Sequence, residues 1–340
     1  MSELQNRLGF TKADYLGAKS TLCTGCGHDT ITSHIIQAFY QSAINPYRVA
    51  KMSGIGCSSK TPAYFLSKSH GFNTIHGRMA PVTTGASVVN PDLTFIGVSG
   101  DGDTASIGLG SFVHMIRRNV RTLYIIENNG VYGLTKGQFS ATAELGSKHK
   151  SGETNPFSNV DICSLALDVG ADFVARSFSG DAKQMTALLH LALRHSGIAI
   201  IDVISPCVTF SNHEGATRSY ETVRATNQQL QELGFIQPQS EIKVDYGEGE
   251  VKEVSLHDGS KVWLKKLEKD HDVHNKAHAA DRLRESKENG QILTGLFYWN
   301  PKSKALTDGM NLTSKPLAHL TEKELRPAPS SLEKLLHKFT

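Results

Sequence analysis

The sequence predicts an α/β fold in which helices flank a parallel sheet. Three short apolar runs rich in β-branched residues, 93–98, 122–126 and 198–203, have the composition of strands that are covered on both faces. Between the first two runs, apolar residues recur at the spacing of one helical face: Leu109, Phe112, Val113 and Ile116. Strand–helix–strand order requires crossover connections, so these strands are expected to be parallel.

Two further elements are predicted near the N-terminus. Ile31, Ile35, Ala38 and Phe39 repeat the helical spacing, and a strand is expected over residues 48–52. Both continue the alternation of helix and strand that the α/β class requires.

Composition limits the possible classes of function. The chain has 340 residues and a formal net charge of +3, which gives no basic surface for nucleic acid or anionic lipid. The N-terminus is polar and the longest apolar runs, such as 197–204, are far shorter than the ~20 residues of a membrane span. We therefore expect a cytoplasmic protein with reduced thiols.

Charge density divides the chain into two parts. Residues 1–220 contain 33 charged side chains and residues 221–340 contain 36, so the density roughly doubles near Thr222. We predict a domain with a buried core over 1–220 and a charged C-terminal extension over 221–340 that docks on a partner.

The extension is predicted to contain a β-hairpin, a helix and a strand. Alternating apolar residues flank Asp258-Gly259: Val254, Leu256, Val262 and Leu264. Their even numbering puts all four on one face only if the loop has an odd number of residues, so we expect a glycine bulge. A helix over 277–287 and a strand over 292–298 follow.

A last helix is predicted near the C-terminus. Ser330 and Glu333 form a capping-box pattern. An apolar stripe follows the predicted cap: Leu332, Leu335, Leu336 and Phe339. We expect this stripe to pack on the chain's own core, with docking on a partner as the alternative.

A glycine-rich turn follows the strand predicted over 93–98. Gly100-Asp101-Gly102-Asp103 would present backbone N–H groups and a helix N-terminus to a phosphate. Asp101 would repel a bare phosphate, so its carboxylate indicates a divalent cation such as Mg²⁺ between the two. Alone, such a turn is more often structural than functional.

The next strand ends at Asn128-Asn129, beside the glycine-rich turn if the strands are neighbours. Asn129 offers an amide oxygen to a cation, and the backbone beyond it offers carbonyls. The long polar segment 130–159 begins there, and loops of this length are usually functional or disordered. Within it, Thr135 is a candidate phosphate donor, and Lys136 is a candidate anion partner or a solvated lysine.

Four of the five cysteines lie near predicted strand ends or a helix start. Cys23 and Cys26 form a Cys-x-x-Cys pair, while Cys57 and Cys207 each follow a strand. Four thiolates fit either Zn²⁺ or a [4Fe–4S] cluster. The wide sequence spacing and the nearby phosphate site favour the cluster. Cys163 has apolar helical neighbours and is interpreted as a small buried hydrophobe.

Taken together, the motifs resemble a known family. Cys-x-x-Cys-Gly-His, Gly-x-Gly-Cys-Ser-Ser-Lys, Gly-Asp-Gly-Asp, Asn-Asn-x-x-Tyr-Gly-Leu-Thr-Lys-Gly-Gln and a late Pro-Cys occur in that order. They resemble the β subunits of 2-oxoacid:ferredoxin oxidoreductases over about residues 20–220. Residues 213–220 are more similar to the 2-oxoglutarate (2-oxoglutarate synthase) branch than to the pyruvate-specific branch.

The resemblance implies a set of site residues. Thiamine diphosphate would be bound by Gly27, His28, Ile55, Gly56, Cys57, Ser58, Gly102, Asp103, Gly133, Leu134 and Thr135. Mg²⁺ would be held by Asp101, Asn129 and the Val131 carbonyl. The [4Fe–4S] cluster would be held by Cys23, Cys26, Cys57 and Cys207. Lys60 and Lys136 are candidates for binding the substrate carboxylates.

The resemblance also implies a reaction and partners. A 2-oxoacid, best 2-oxoglutarate, would be oxidatively decarboxylated with coenzyme A, and electrons would pass through the cluster to ferredoxin. Because the α/β domain already serves the diphosphate half, a partner α subunit would supply the pyrimidine-binding and coenzyme A-binding half, in an (αβ)₂ complex.

Three alternatives stay open. One is specificity for pyruvate or for a broad range of 2-oxoacids. A non-redox thiamine-dependent decarboxylase subunit would share the glycine-rich and Asn-Asn motifs but not the four cysteines. A non-catalytic electron-transfer or zinc-stabilised module would leave Asp101 and Asn129 without a role.

Overall fold

The computed structural model describes residues 4–135, 137–148, 153–209, 240–257, 260–313 and 315–339. None of the helices in these ranges has the length and apolar character needed to cross a membrane. The strands are β1 (Val49–Ser53), β2 (His70–Asn73), β3 (Thr94–Gly100), β4 (Thr122–Asn128), β5 (Val131–Tyr132), β6 (Gln138–Phe139), β7 (Phe173–Phe178), β8 (Ile198–Ile204), β9 (Val251–Ser255), β10 (Lys261–Lys266) and β11 (Ile292–Trp299). The α-helices are α1 (Gly27–Gln41), α2 (Met79–Val89), α3 (Leu109–Arg117), α4 (Ile162–Val169), α5 (Ala182–Ala192), α6 (Lys276–Glu288), α7 (Glu322–Leu325) and α8 (Pro329–Leu336).

Within the described ranges, nine strands form one sheet in the order β2-β1-β3-β4-β8-β7-β11-β10-β9. The six strands from β2 to β7 are mutually parallel, and β11 is antiparallel to β7. The short strands β5 and β6 form a separate antiparallel pair. The predicted α/β class is confirmed.

Helices cover both faces of the sheet, which explains the continuous apolar runs. Along β4, Ile125 packs with α1 and α5 on one face, while Ile126 packs with α3 and α4 on the other. Both isoleucines are fully buried, and burying such a side chain stabilises the fold by about 1.5–3 kcal/mol. Period-2 alternation alone would have left one face polar, so the run of β-branched residues indicated burial on both sides.

The C-terminal region continues the same sheet. Strands β9 and β10 form the predicted hairpin, with Val254 opposite Val262, and β11 joins them to β7. The Leu256 N–H donates to the Ser260 carbonyl at 2.8 Å, which leaves three residues between them, an odd number as predicted. The glycine of the expected bulge lies outside the described residues, as does the boundary predicted at residue 220.

The prediction for the last helix is wrong in two respects. Helix α8 begins at Pro329 after Ala328, so Ser330 lies inside the first turn rather than at its cap. Proline suits the first helical position because its missing N–H would be unpaired there. Leu332, Leu335, Leu336 and Phe339 are between 56% and 84% exposed, so the stripe does not pack on the chain's core.

Candidate active site

The loops that carry the predicted site residues meet at one edge of the sheet. Strands β1, β3, β4 and β8 are parallel neighbours, so their carboxyl ends lie side by side. The register pairs Gly100 at the end of β3 with Glu127 near the end of β4. This edge of an open α/β sheet is where ligands bind.

Asp101 is buried at the start of the helical turn that follows β3. Its Oδ2 accepts hydrogen bonds from the Ser140 hydroxyl and, at 2.6 Å, from the Thr142 hydroxyl. Its Oδ1 accepts a 3.3 Å hydrogen bond from the Asn129 N–H, so the two predicted metal ligands are in contact. Burial raises the pKa of Asp101, and the bonds from Ser140, Thr142 and Asn129 partly oppose that rise.

Asn129 begins a tight turn into the β5–β6 hairpin. Its side-chain Oδ1 accepts from the Val131 N–H at 3.1 Å, and Gly130 between them has a φ of +73°. Such a left-handed conformation favours glycine. The turn holds the amide oxygen of Asn129 and the backbone of Val131 close together.

Gly102 provides a surface without a side chain. A Cβ built there would lie 2.5 Å from Tyr132 Cζ, and the Tyr132 hydroxyl donates to the Gly102 carbonyl at 2.7 Å. Both carboxylate oxygens of neighbouring Asp103 are engaged, by the Gly77 N–H at 2.6 Å and the Ser99 hydroxyl at 2.9 Å. The Asp103 side chain therefore links β3 to the Gly77 loop, while its contact with a diphosphate stays a prediction.

A small cavity of about 20 Å³ lies between these loops. Its walls include eleven of the predicted residues: His28, Ile55, Gly56, Cys57, Ser58, Asp101, Gly102, Asp103, Asn129, Val131 and Gly133. The fold thus brings together residues from α1 and from the loops after β1, β3 and β4.

A larger cavity of about 300 Å³ adjoins the small one and shares Ile55, Gly56 and Tyr132 with it. Predicted Leu134 and Thr135 line it, but the Thr135 hydroxyl already donates to Gln138 at 2.7 Å. Three polar residues that the sequence did not single out also line it: Asn73, Thr74 and His76.

The three remaining predicted residues are Gly27, Lys60 and Lys136. Gly27 is the first residue of α1, where an added Cβ would lie 2.5 Å from Ser205 Oγ, so the helix start requires glycine. Lys60 follows the Cys57 turn half-buried, and it lines neither cavity. Lys136 lies outside the described residues. The roles of both lysines stay predictions.

The four candidate cluster cysteines lie around the same edge in the thiol form. Burial raises the pKa of Cys57 to about 11, and the neighbouring thiols of Cys207 and Cys23 contribute. Burial and the same two neighbours raise the pKa of Cys26. Among the described residues, no three His, Cys, Asp or Glu side chains are close enough to hold one metal ion.

Sequence reasoning did not assign a role to Glu127, which is fully buried in the wall of the small cavity. Its Oε2 accepts from the Thr61 hydroxyl at 2.9 Å and lies 3.7 Å from His28 Nε2. Within the described residues its Oε1 has no hydrogen-bond partner. The His28 Nδ1 lies 2.7 Å from Ser205 Oγ. The available signal was a glutamate at the end of an otherwise apolar strand.

Burial determines the charge states of this pair. It raises the pKa of Glu127 well above its usual value and lowers the pKa of His28 to about 4. Both shifts favour the neutral forms.

The residues present fit a magnesium-bound diphosphate. Asp101 is buried, and its hydrogen bonds come from hydroxyl and amide groups, so no cationic side chain among the described residues pairs with it. Carboxylate, amide and carbonyl oxygens are the hard ligands that Mg²⁺ prefers. A Cβ at Gly102 would collide with the Tyr132 ring, so the turn beside Asp101 requires glycine.

Comparison with known proteins identifies the same region. The family described as thiamine pyrophosphate enzyme, C-terminal TPP binding domain, matches residues 54–203. A 2-oxoacid:ferredoxin oxidoreductase subunit beta from Saccharolobus solfataricus is 42% identical over 191 residues, which cover 56% of this chain and 63% of that protein.

Two further similarities extend this result. The 2-oxoglutarate synthase subunit KorB of Methanocaldococcus jannaschii is 35% identical over 189 residues, or 55% of this chain and 69% of that protein. A solved 2-oxoglutarate:ferredoxin oxidoreductase from Magnetococcus marinus, with 2-oxoglutarate, coenzyme A and succinyl-CoA bound, superposes with a TM-score of 0.72 at 27% identity. That match covers 100% of this chain and 97% of that one.

Proposed function

The chain belongs to the family of 2-oxoacid:ferredoxin oxidoreductase β subunits, and on that premise we propose that it binds the diphosphate half of thiamine diphosphate and oxidises a 2-oxoacid. The observation that carries the proposal is the contact between Asp101 and Asn129. Two residues 28 positions apart in the chain meet because β3 and β4 are parallel neighbours. They present hard oxygen ligands beside a glycine with no Cβ.

Asp101, Asn129 and the Val131 carbonyl would hold Mg²⁺, and the bound thiamine diphosphate would supply the carbanion chemistry of decarboxylation. The chain's own contribution is orientation and exclusion of water. The backbone of Gly102 allows close approach of the diphosphate, and His28 closes the cavity from the side of α1.

The thiols of Cys23, Cys26, Cys57 and Cys207 would hold a [4Fe–4S] cluster that receives electrons for ferredoxin. Their mutual electrostatic influence supports this assignment, since it requires the thiols to lie close to one another. Their wide separation along the sequence, between residues 23 and 207, favours a cluster over zinc.

The substrate we propose is 2-oxoglutarate, with pyruvate or a broad range as the alternative. The support is the likeness to KorB proteins and to an enzyme solved with 2-oxoglutarate and coenzyme A bound. Lys60 and Lys136 remain the candidates for its carboxylates. Residues 213–220, which resemble the 2-oxoglutarate branch, lie outside the described part of the chain.

A partner α subunit would supply the pyrimidine-binding half and the coenzyme A site, in an (αβ)₂ complex. The aligned segment spans 63% of the length of the Saccharolobus relative and 51% of that of a 2-oxoglutarate oxidoreductase subunit KorB from Mycobacterium tuberculosis, which is 37% identical. Activity, substrate and partners are therefore proposed for the complex rather than for this chain alone.

The test is anaerobic purification of the chain with its co-expressed partner, followed by measurement of iron, thiamine and 2-oxoacid-dependent ferredoxin reduction. We expect Asp101→Ala to lose thiamine diphosphate but keep iron, and Cys207→Ala to lose iron but keep thiamine diphosphate. Cys163→Ala, which changes a fully buried thiol on α4 that lines neither cavity, is the matched control and should keep both.

The possible outcomes separate the candidates. A colourless, iron-free complex that decarboxylates a 2-oxoacid would support the non-redox decarboxylase. An iron-containing complex in which Asp101→Ala changes neither thiamine diphosphate binding nor turnover would support an electron-transfer module. Faster turnover with pyruvate than with 2-oxoglutarate would overturn the substrate assignment.

A further inference from the structure

A continuous chain of hydrogen bonds connects Asp101 with a buried ion pair two strands away. It passes from Asp101 through Thr142 and Asn128 to Asp202 and Arg176. The participants lie in segments that are far apart in sequence. None of the motifs recognised in the sequence connects them.

The first step of the chain is made by a loop that folds back over the site. Residues 140–142 follow β6, and the Ala143 N–H donates to the Ser140 carbonyl at 3.1 Å, which closes a turn. The Ser140 and Thr142 hydroxyls both donate to Oδ2 of Asp101. Its Oδ1 remains on the side of Asn129, the second predicted metal ligand.

The second step fixes the amide of Asn128. Its Oδ1 lies 3.0 Å from the Thr142 hydroxyl, and its Nδ2 donates to Asp202 Oδ1 at 3.0 Å. The carboxylate of Asp202 can only accept, so it determines which end of the amide faces Thr142. Thr142 has one hydroxyl hydrogen for two acceptors and therefore shares it between Asp101 and Asn128.

The last step is a rigid anchor between β7 and β8. The Arg176 guanidinium donates through Nε to Asp202 Oδ2 and through Nη2 to Asp161 Oδ2, each at 2.8 Å. Arg176 is only 6% exposed and Asp202 only 1%. A guanidinium fork held by two carboxylates is a fixed geometry, unlike a loop hydroxyl on its own.

We propose that Thr142 and Asn128 are positioning residues that hold the carboxylate of Asp101 in the orientation a divalent cation needs, with the Arg176–Asp202 pair as the fixed end. The inference rests on the proposed function, in which Asp101 is a Mg²⁺ ligand. Partners that orient a metal ligand typically change metal affinity about 10–100-fold when they are removed.

The experiment measures thiamine diphosphate binding to the purified complex by calorimetry at a series of Mg²⁺ concentrations. Thr142→Val removes the hydroxyl at nearly constant volume, and Thr142→Ser restores it. We expect the apparent Mg²⁺ dissociation constant to rise at least about 10-fold in the valine variant and to return within about 3-fold of wild type in the serine variant. The control is Ser147→Ala. The Ser147 hydroxyl donates to the exposed Glu144 carbonyl in the same loop, and its removal should leave the Mg²⁺ dissociation constant unchanged.

The possible outcomes distinguish a failure of the proposed function from a failure of the positioning role. If the wild-type complex binds no thiamine diphosphate in a Mg²⁺-dependent manner, the proposed function fails. If the wild type binds and the valine variant has the wild-type Mg²⁺ dependence, the positioning role alone fails. Thermal unfolding and iron content, measured on each variant, show whether the valine variant is folded. If the valine variant is unfolded, Asn128→Asp takes its place in the comparison. This substitution keeps the shape of the side chain but puts a like charge beside Asp202. A wild-type Mg²⁺ dependence in Asn128→Asp would also overturn the proposal.

Discussion

The buried ion pair between Arg176 and Asp202 provides a quantitative test of the structure. The change is Asp202→Asn, which keeps the volume and removes the negative charge. Arg176 Nε lies 2.8 Å from Asp202 Oδ2, and both side chains are almost fully buried. Removing one partner of a buried pair typically costs 3–5 kcal/mol, since the other charge stays buried.

The structure narrows this range. Arg176 keeps Asp161 at 2.8 Å on its other nitrogen, and the new amide oxygen can still accept from Nε, although the amide NH2 group then faces the Asn128 Nδ2 donor. We therefore expect the low end, about 3 kcal/mol. In domains of 150–250 residues, each kcal/mol lowers the melting temperature by about 2–4 °C, so the complex should melt at least roughly 5 °C lower.

The assay is thermal unfolding of the purified complex, monitored by fluorescence at a fixed protein concentration. Asp281→Asn is the matched control: its carboxylate lies 2.7 Å from Arg284 Nη2, but the two side chains are 61% and 69% exposed. Exposed i,i+3 pairs on a helix contribute about 0.2–0.5 kcal/mol, so this variant should melt within about 2 °C of wild type. Equal shifts for the two variants would refute the claim that burial determines the cost.

Three further predictions concern other parts of the molecule. Gly102→Ala should weaken thiamine diphosphate binding at least about 10-fold, because its Cβ meets the ring of Tyr132, whereas Gly110→Ala in open space should bind like wild type. Burial raises the pKa of Asp161, but the Arg176 guanidinium and the hydrogen bonds from Ser164 together outweigh it, so the pKa lies below its usual value. The stabilisation that this carboxylate provides is full above about pH 3.9 and is lost as pH falls through the lowered pKa. Melting curves between pH 6 and 3 should therefore be less acid-sensitive for Asp161→Asn. Leu335→Ser should change the melting temperature by less than about 2 °C, whereas a much larger fall would indicate that the exposed stripe packs on the core.

The sheet and its functional edge could be predicted from local patterns. Runs such as 122–126 are apolar at every position, which indicates burial on both faces and hence parallel strands. Once β3 and β4 are parallel neighbours, their carboxyl ends coincide, and Asp101 must lie near Asn129. Two residues far apart in sequence could be paired because the topology of α/β sheets is so restricted.

The hydroxyl donors of the site could not be predicted in the same way. Ser140 and Thr142 belong to a polar loop with no periodicity, and their contact with Asp101 depends on how the β5–β6 hairpin directs the chain back. The role of Glu127 depends on which face of α1 packs over β4. Packing of this kind depends on tertiary structure, and no spacing rule encodes it.

The C-terminal helix shows a different limit. An apolar stripe at helical spacing indicates that a face will be covered, but not by what. Leu332 and Phe339 are exposed in this chain, so burial against the chain's own core does not explain the apolar stripe. The capping-box prediction is wrong because the helix starts at Pro329, one residue before Ser330. Proline is strongly favoured at the first helical position, whereas the capping-box pattern is not specific enough to override that preference.

The strand order constrains where a cluster can lie. Cys57 follows β1 and Cys207 follows β8, and these strands are separated by β3 and β4. Three strand spacings of about 4.8 Å put the strand ends roughly 14 Å apart. Cys57 and Cys207 thus flank the ends of β3 and β4, and the Cys207 thiol contributes to the raised pKa of Cys57. Asp101 and Asn129 lie at those ends. We therefore expect any cluster held by these thiols to lie over the loops that contain Asp101 and Asn129 rather than beside the sheet.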